Sequence, residues 1–132
     1  MALSGSESIL VCEDEEGVRR LIEVILTTEG YRVLSTPGPR DALDLAAAGA
    51  AFDALVSDVI MPDMSGPDLA QRLKTLRPGL RTLFISGYTA ETVRGRGNLP
   101  LGSAFLEKPF DQASLLRALR ALLDQPAAAS DL

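Results

Sequence analysis

The sequence predicts an open, doubly wound α/β fold: five parallel strands in one sheet, with five helices covering its faces. Short apolar runs alternate with amphipathic helical patterns five times along 132 residues. A repeated strand–helix rhythm is the signature of a parallel sheet wrapped by helices. The runs are also apolar without alternation, as strands buried on both faces are. A chain of this length holds a single hydrophobic core, so one domain is expected.

Taken in order, residues 8–12 (SILVC) form the first strand. Val18, Leu21, Ile22, Ile25 and Leu26 then recur at the spacing of one helix face, and Gly30 ends that helix. YRVLS (31–35) is the second strand. GPRDALDLAAAG (38–49) is a helix with Pro39 near its start and Gly49 past its end. DALVS (53–57) is the third strand, and Leu69, Leu73 and Leu76 mark a helix closed by Pro78-Gly79. RTLFIS (81–86) and SAFLE (103–107) are strands four and five. Between them, TAETVRGRGNLPLG (89–102) has the length of a helix, but Gly95, Gly97, Pro100 and Gly102 predict a short or mobile one. Leu115, Leu116, Leu119, Leu122 and Leu123 line the last helix. Residues 1–6 and 125–132 lack a packing pattern, so flexible ends are expected around a domain of residues 7–124.

Composition narrows the function. A net charge of -5 with no basic run and no Trp argues against nucleic acid, whose phosphates are held by Lys and Arg. No apolar stretch is long enough to cross a bilayer, and the N-terminus MALSGSES lacks a signal pattern, so no membrane contact is expected. A single cysteine, Cys12, reads as a small core residue and makes a reducing cytoplasm the default location. There is no histidine. An imidazole base, a His metal ligand and a phosphohistidine within this chain are all excluded.

The polar residues fall at strand ends. Glu13 and Asp14 follow strand one, Asp58 closes strand three, Ser86 closes strand four and Lys108 follows strand five. Open α/β sheets bind ligands beyond the carboxyl ends of their strands, where the strand order reverses. In a flavodoxin-like sheet of order 2-1-3-4-5 that point lies between strands one and three. Glu13, Asp14 and Asp58 then meet in one crevice flanked by Ser86 and Lys108. At about 4 Å and an effective dielectric near 20, each close carboxylate pair costs on the order of 4 kcal/mol. A hard divalent cation would relieve this, and Mg²⁺ (or Mn²⁺) suits a site of carboxylates, phosphate oxygens and water. An ammonium from Lys108 would help from the other side. Such a cluster can let a carboxylate attack a phosphoryl group and form an acyl phosphate.

Four segments carry a resemblance: LVCEDEEGVRRLI (10–22), DALVSDVIMPDMSG (53–66), LFISGYT (83–89) and FLEKPF (105–110). Together they resemble the receiver domain of two-component response regulators, over about Ile9 to Leu123. The resemblance implies that Asp58 is the phosphoacceptor and Asp14 a direct Mg²⁺ ligand. It implies that Glu13 acts through metal-bound water and that the Ile60 carbonyl is a further ligand. Ser86 and Lys108 would bind the phosphoryl oxygens, Lys108-Pro109 would be cis, and Ser86 and Phe105 would be the switch pair. Glu13 stands where Asp is more usual and Ser86 where Thr is common; both keep the chemistry. Phe105 lacks the hydroxyl of the Tyr variant. A receiver of this kind catalyses its own phosphorylation and slow dephosphorylation.

The SGY and LEKPF wording is most similar to receivers of hybrid sensor histidine kinases. In that setting a kinase phosphohistidine is the donor and a histidine phosphotransferase the acceptor. With no output domain after residue 124, a stand-alone single-domain regulator is the alternative expectation, and a non-phosphorylated binding module a third. Loss of an acidic or lysine position would mark that third case, and none is lost.

Each residue also has an ordinary explanation. Asp58 could cap a strand end, Glu13 and Asp14 could favour a helix N-terminus, Ser86 could belong to a turn with Gly87, and Lys108 could be solvated. Asp63 and Asp68 read as loop and helix-terminal charges. A dehalogenase-type hydrolase with a nucleophilic Asp needs a second Asp two positions on, where this chain has Ile60. Ile60 and Tyr88 flank the path of an attacking water, and their bulk is expected to hinder hydrolysis of the acyl phosphate.

Overall fold

The structure, a computed structural model, describes residues 3–89, 91–92 and 103–125. The elements run β1 (Ser8–Cys12), α1 (Glu16–Thr28), β2 (Arg32–Thr36), α2 (Pro39–Ala47), β3 (Ala54–Asp58), α3 (Gly66–Leu76), β4 (Arg81–Ser86), β5 (Ser103–Glu107) and α4 (Gln112–Asp124). The five strands form one parallel sheet of order β2-β1-β3-β4-β5, the flavodoxin-like arrangement. Four helices lie among the described residues. The expected helix over residues 89–102 falls mostly outside them.

Alternate residues of each strand point to opposite faces, so the sheet builds two cores. Ile9, Val11, Val56, Leu83 and Ile85 pack against Ile22 and Leu26 of α1 and Leu115 and Leu119 of α4. On the other face, Leu10, Leu55 and Phe84 meet Ala42 and Ala46 of α2 and Leu69 and Leu73 of α3. The central strands are buried on both faces, whereas the edge strands β2 and β5 are only half-buried. Cys12 is wholly buried.

Two expected core leucines are outside. Leu21 is 49% exposed, because Val18, Ile22, Ile25 and Leu26 centre the buried stripe of α1 and leave Leu21 at its margin. Leu76 is 48% exposed; it is the last residue of α3, and Leu80, after the turn, fills the core there.

Helix ends are satisfied by local chemistry. Ser65 Oγ accepts the Asp68 N–H at 3.2 Å at the start of α3, and Asp111 Oδ1 accepts the Ser114 N–H at 2.7 Å at the start of α4. Gly30, at φ 99°, ends α1 in a backbone region that side-chain-bearing residues avoid. Arg81 donates to the carbonyls of Leu123 and Gln125, both at 2.7 Å, closing the end of α4.

At the amino edge of the sheet, Arg120 of α4 draws in the chain that precedes β1. Its guanidinium bonds both Glu7 oxygens (3.1 and 2.6 Å), Ser4 O (3.2 Å) and Asp124 Oδ1 (2.9 Å). Hydrogen bonding from Arg120 holds the Glu7 carboxyl below its usual range. No helix of the described residues is long and apolar enough to cross a membrane.

Candidate functional site

Parallel strands end at one edge of the sheet, and the register decides which residues arrive together. Cys12 lies beside Ser57, Asp58 beside Ile85, and Ser86 beside Glu107. The pairing then continues briefly past the strands: Glu13 N–H donates to Thr36 O (3.1 Å), Val59 N–H to Ile85 O (3.0 Å) and Lys108 N–H to Ser86 O (2.7 Å). Strand ends that would otherwise fray therefore hold Glu13, Asp58 and Lys108 at fixed positions.

Glu13, Asp14 and Asp58 each bring one carboxylate oxygen to within 4.8 Å of the others. Lys108 Nζ sits between two of them, 3.1 Å from Glu13 Oε1 and 3.2 Å from Asp58 Oδ2. The ammonium thus pairs with both carboxylates. The contact to Glu13 is ionic only: Oε1 is buried and accepts no hydrogen bond of good geometry among the described residues. Its second oxygen accepts the Glu15 N–H at 3.1 Å. An all-oxygen donor set of this kind fits a hard divalent cation.

Glu13 is 1% exposed. Burial is the main cause that pushes its carboxyl up to about 7, with repulsion from Asp58 adding to it against the pull of the Glu15 N–H and Lys108. Burial would lower the Lys108 ammonium, but the Glu13 and Asp58 carboxylates outweigh it and raise the group above its ordinary value. Burial likewise pushes the neighbouring Cys12 thiol up to about 11, which keeps it protonated.

The remaining positions lie around this cluster. Ser86 is buried, and its Oγ accepts the Tyr88 N–H at 3.0 Å. Lys108-Pro109 is cis, as the resemblance implied. Ile60 and Tyr88 are 45% and 46% exposed. Phe105 pairs with Phe84 in the sheet and lies half-buried against the core on the α2 and α3 side.

Two supporting residues went unread in the sequence. Ser57 Oγ donates to Asp58 O at 2.9 Å. Gly66 lies against the Asp58 backbone: a Cβ there would overlap the Asp58 carbonyl oxygen and come within 3.1 Å of Val59 Cα. Its N–H donates to Val59 O at 2.7 Å. A small residue next to Pro67 marks a helix start, but only the folded chain shows what it lies against.

A parallel α/β sheet of order β2-β1-β3-β4-β5 with three carboxylates and a lysine at its carboxyl edge is the arrangement that the resemblance to receiver domains implied. The sequence profile of the response regulator receiver domain matches residues 9–120, and the chain belongs to that family. It is 37% identical over 126 residues to the sensor kinase CckA of Brucella abortus (strain 2308); the match takes in 93% of this chain and only 13% of that protein. It is 30% identical over 115 residues to the response regulator receiver protein CpdR of the same organism, covering 87% of this chain and 95% of CpdR. Among solved structures, the receiver domain from hybrid histidine kinase CckA superposes with a TM-score of 0.74 at 33% identity, covering 89% of this chain and 99% of that one.

Two predictions follow from the site's construction. Gly66→Ala must displace the backbone at Asp58 and is expected to cost about 1–3 kcal/mol in urea unfolding. Gly79→Ala, where a Cβ meets nothing within 4 Å, should change stability by less than about 0.5 kcal/mol. The second concerns Glu13. A carboxyl raised in the folded state contributes stability that is complete below its unfolded value of 4.5 and is lost as pH rises through about 7. In metal-free buffer the Tm should therefore fall across that window, and Glu13→Gln should flatten the fall. An identical pH profile for the variant would exclude Glu13 as its source.

Proposed function

We propose that this domain takes a phosphoryl group from a partner's phosphohistidine onto Asp58 and passes it on in a two-component phosphorelay. The observation that supports it most is Lys108 Nζ shared between Asp58 and Glu13 at a carboxylate cluster. In the reaction an Asp58 carboxylate oxygen attacks phosphorus, the P–N bond breaks, and its electrons return to the imidazole nitrogen. The product is an acyl phosphate on Asp58.

Glu13, Asp14, Asp58 and the Ile60 carbonyl are the groups that would hold Mg²⁺ (or Mn²⁺). When bound, the cation neutralises charge on the phosphoryl oxygens. Lys108 is placed to leave its contact with Asp58 for a phosphoryl oxygen, so its charge stabilises the transferring group. Ser86 Oγ accepts the Tyr88 N–H and can donate its own proton to another phosphoryl oxygen. Ser86 and Phe105 would report the change to the surface as the switch pair.

For the larger setting, a hybrid sensor kinase with a histidine phosphotransferase as acceptor is favoured by the 37% identity to CckA. Stand-alone action in the cytoplasm is the second reading, supported by the coverage of nearly all of CpdR. A histidine phosphotransferase mixed with the phosphorylated domain separates them: rapid loss of phosphoryl to it supports the relay.

Acetyl phosphate with Mg²⁺ should add one phosphoryl group by intact mass. Asp58→Asn should abolish the gain, and a gain that survives the substitution would defeat the proposal. Ile60 and Tyr88 are exposed, two residues past Asp58 and Ser86 respectively, so Ile60→Asn with Tyr88→Glu is expected to speed dephosphorylation several-fold. An unchanged rate would remove these side chains as a barrier to water.

A further inference from the structure

We infer that Arg19 is a positioning residue of the acidic turn, holding the peptide that directs Asp14 into the cation site. The inference rests on the proposed reading of Glu13, Asp14 and Asp58 as that site.

Asp14 is exposed, and its side chain makes no hydrogen bond or ion pair among the described residues. Its direction must come from the backbone of the turn. Three bonds fix that backbone. Glu13 N–H donates to Thr36 O at 3.1 Å, and Glu15 N–H donates to Glu13 Oε2 at 3.1 Å. The third is from Arg19, whose Nη1 donates to Glu13 O at 2.9 Å. That carbonyl belongs to the peptide linking Glu13 to Asp14. Among the described residues, Arg19 is the one side chain from outside the turn bonded to the turn's backbone.

The placement runs against the ordinary preference of a helix. Arg19 N–H donates to Glu15 O, so the residue lies in the first turn of α1. Long side chains on a helix lean toward its N-terminus, which carries the guanidinium back over residues 13–15. A cation there opposes the helix dipole. The charge-assisted bond to a carbonyl beside three carboxylates offsets that opposition. Arg20, the next residue, is exposed and makes no such bond, which gives a control of equal charge on the same helix.

Without Arg19, the Glu13–Asp14 peptide can rotate and the Asp14 carboxylate spreads over more orientations. Loss of a partner that orients a ligand typically weakens metal affinity by about 10–100-fold.

The test titrates the full chain with Mg²⁺ by amide NMR and follows hydrogen exchange at Asp14 and Glu15 without metal. Arg19→Ala should weaken Mg²⁺ binding about ten-fold or more and speed exchange at both amides, with Tm little changed. Arg20→Ala should stay within about two-fold, and Arg19→Lys, which keeps one donor, should recover part of the loss. If Arg19→Ala does not fold, Arg19→Gln and Arg19→Lys carry the comparison. Equal losses for Arg19→Ala and Arg20→Ala would reduce the effect to net charge and overturn the inference. Wild-type binding that Arg19→Ala leaves intact would overturn it while sparing the proposed function. A wild type that binds no Mg²⁺ would overturn both.

Discussion

Three carboxylates whose oxygens lie within 4.8 Å of one another repel, and burial strengthens that repulsion because less water screens it. Much of the site answers this one constraint. Lys108 divides its charge between Asp58 and Glu13. Glu13, the most buried of the three, holds a proton more tightly, chiefly because burial disfavours its charged form and then because Asp58 repels it. On the proposed reading, the pressure that makes this cluster costly is also what a cation or a phosphoryl group accompanied by one would relieve.

The fold supplies the rigidity this arrangement needs. Carboxylates that repel will move apart unless the backbone prevents it. Here each is attached within two residues of a buried central strand, and the pairing extends past the strand ends through Glu13, Val59 and Lys108. Asp58 is further confined from behind, where Ser57 bonds its carbonyl and Gly66 lies directly against it. The apolar cores on both faces therefore act on the chemistry indirectly, by holding strand ends in register.

The five strands were legible because apolar runs and helical stripes follow different periods, and because polar residues stopped each run abruptly. Their order came from the flavodoxin-like arrangement, since periodicity does not say which strands are neighbours. Asp58, Ser86 and Lys108 were found at those stops. Leu21 and Leu76 misled for a physical reason: a leucine at the rim of a stripe, or on the last turn of a helix, satisfies the period without facing the core. Gly66 and Arg19 were illegible as site residues because their roles depend on contacts with backbone atoms. A carbonyl has no identity in a sequence. Ser65 and Asp111 could have been read, since each precedes a helix at the spacing that side-chain capping requires.

The bonds of Arg120 have a consequence for how this domain sits beside other molecules. They gather Ser4, Glu7 and Asp124 into one knot at the amino edge of the sheet, while Asp58 opens at the carboxyl edge. Both described ends of the chain thus leave from the pole opposite the crevice. Anything attached at either described end would therefore begin a strand's length away from the Asp58 carboxylate.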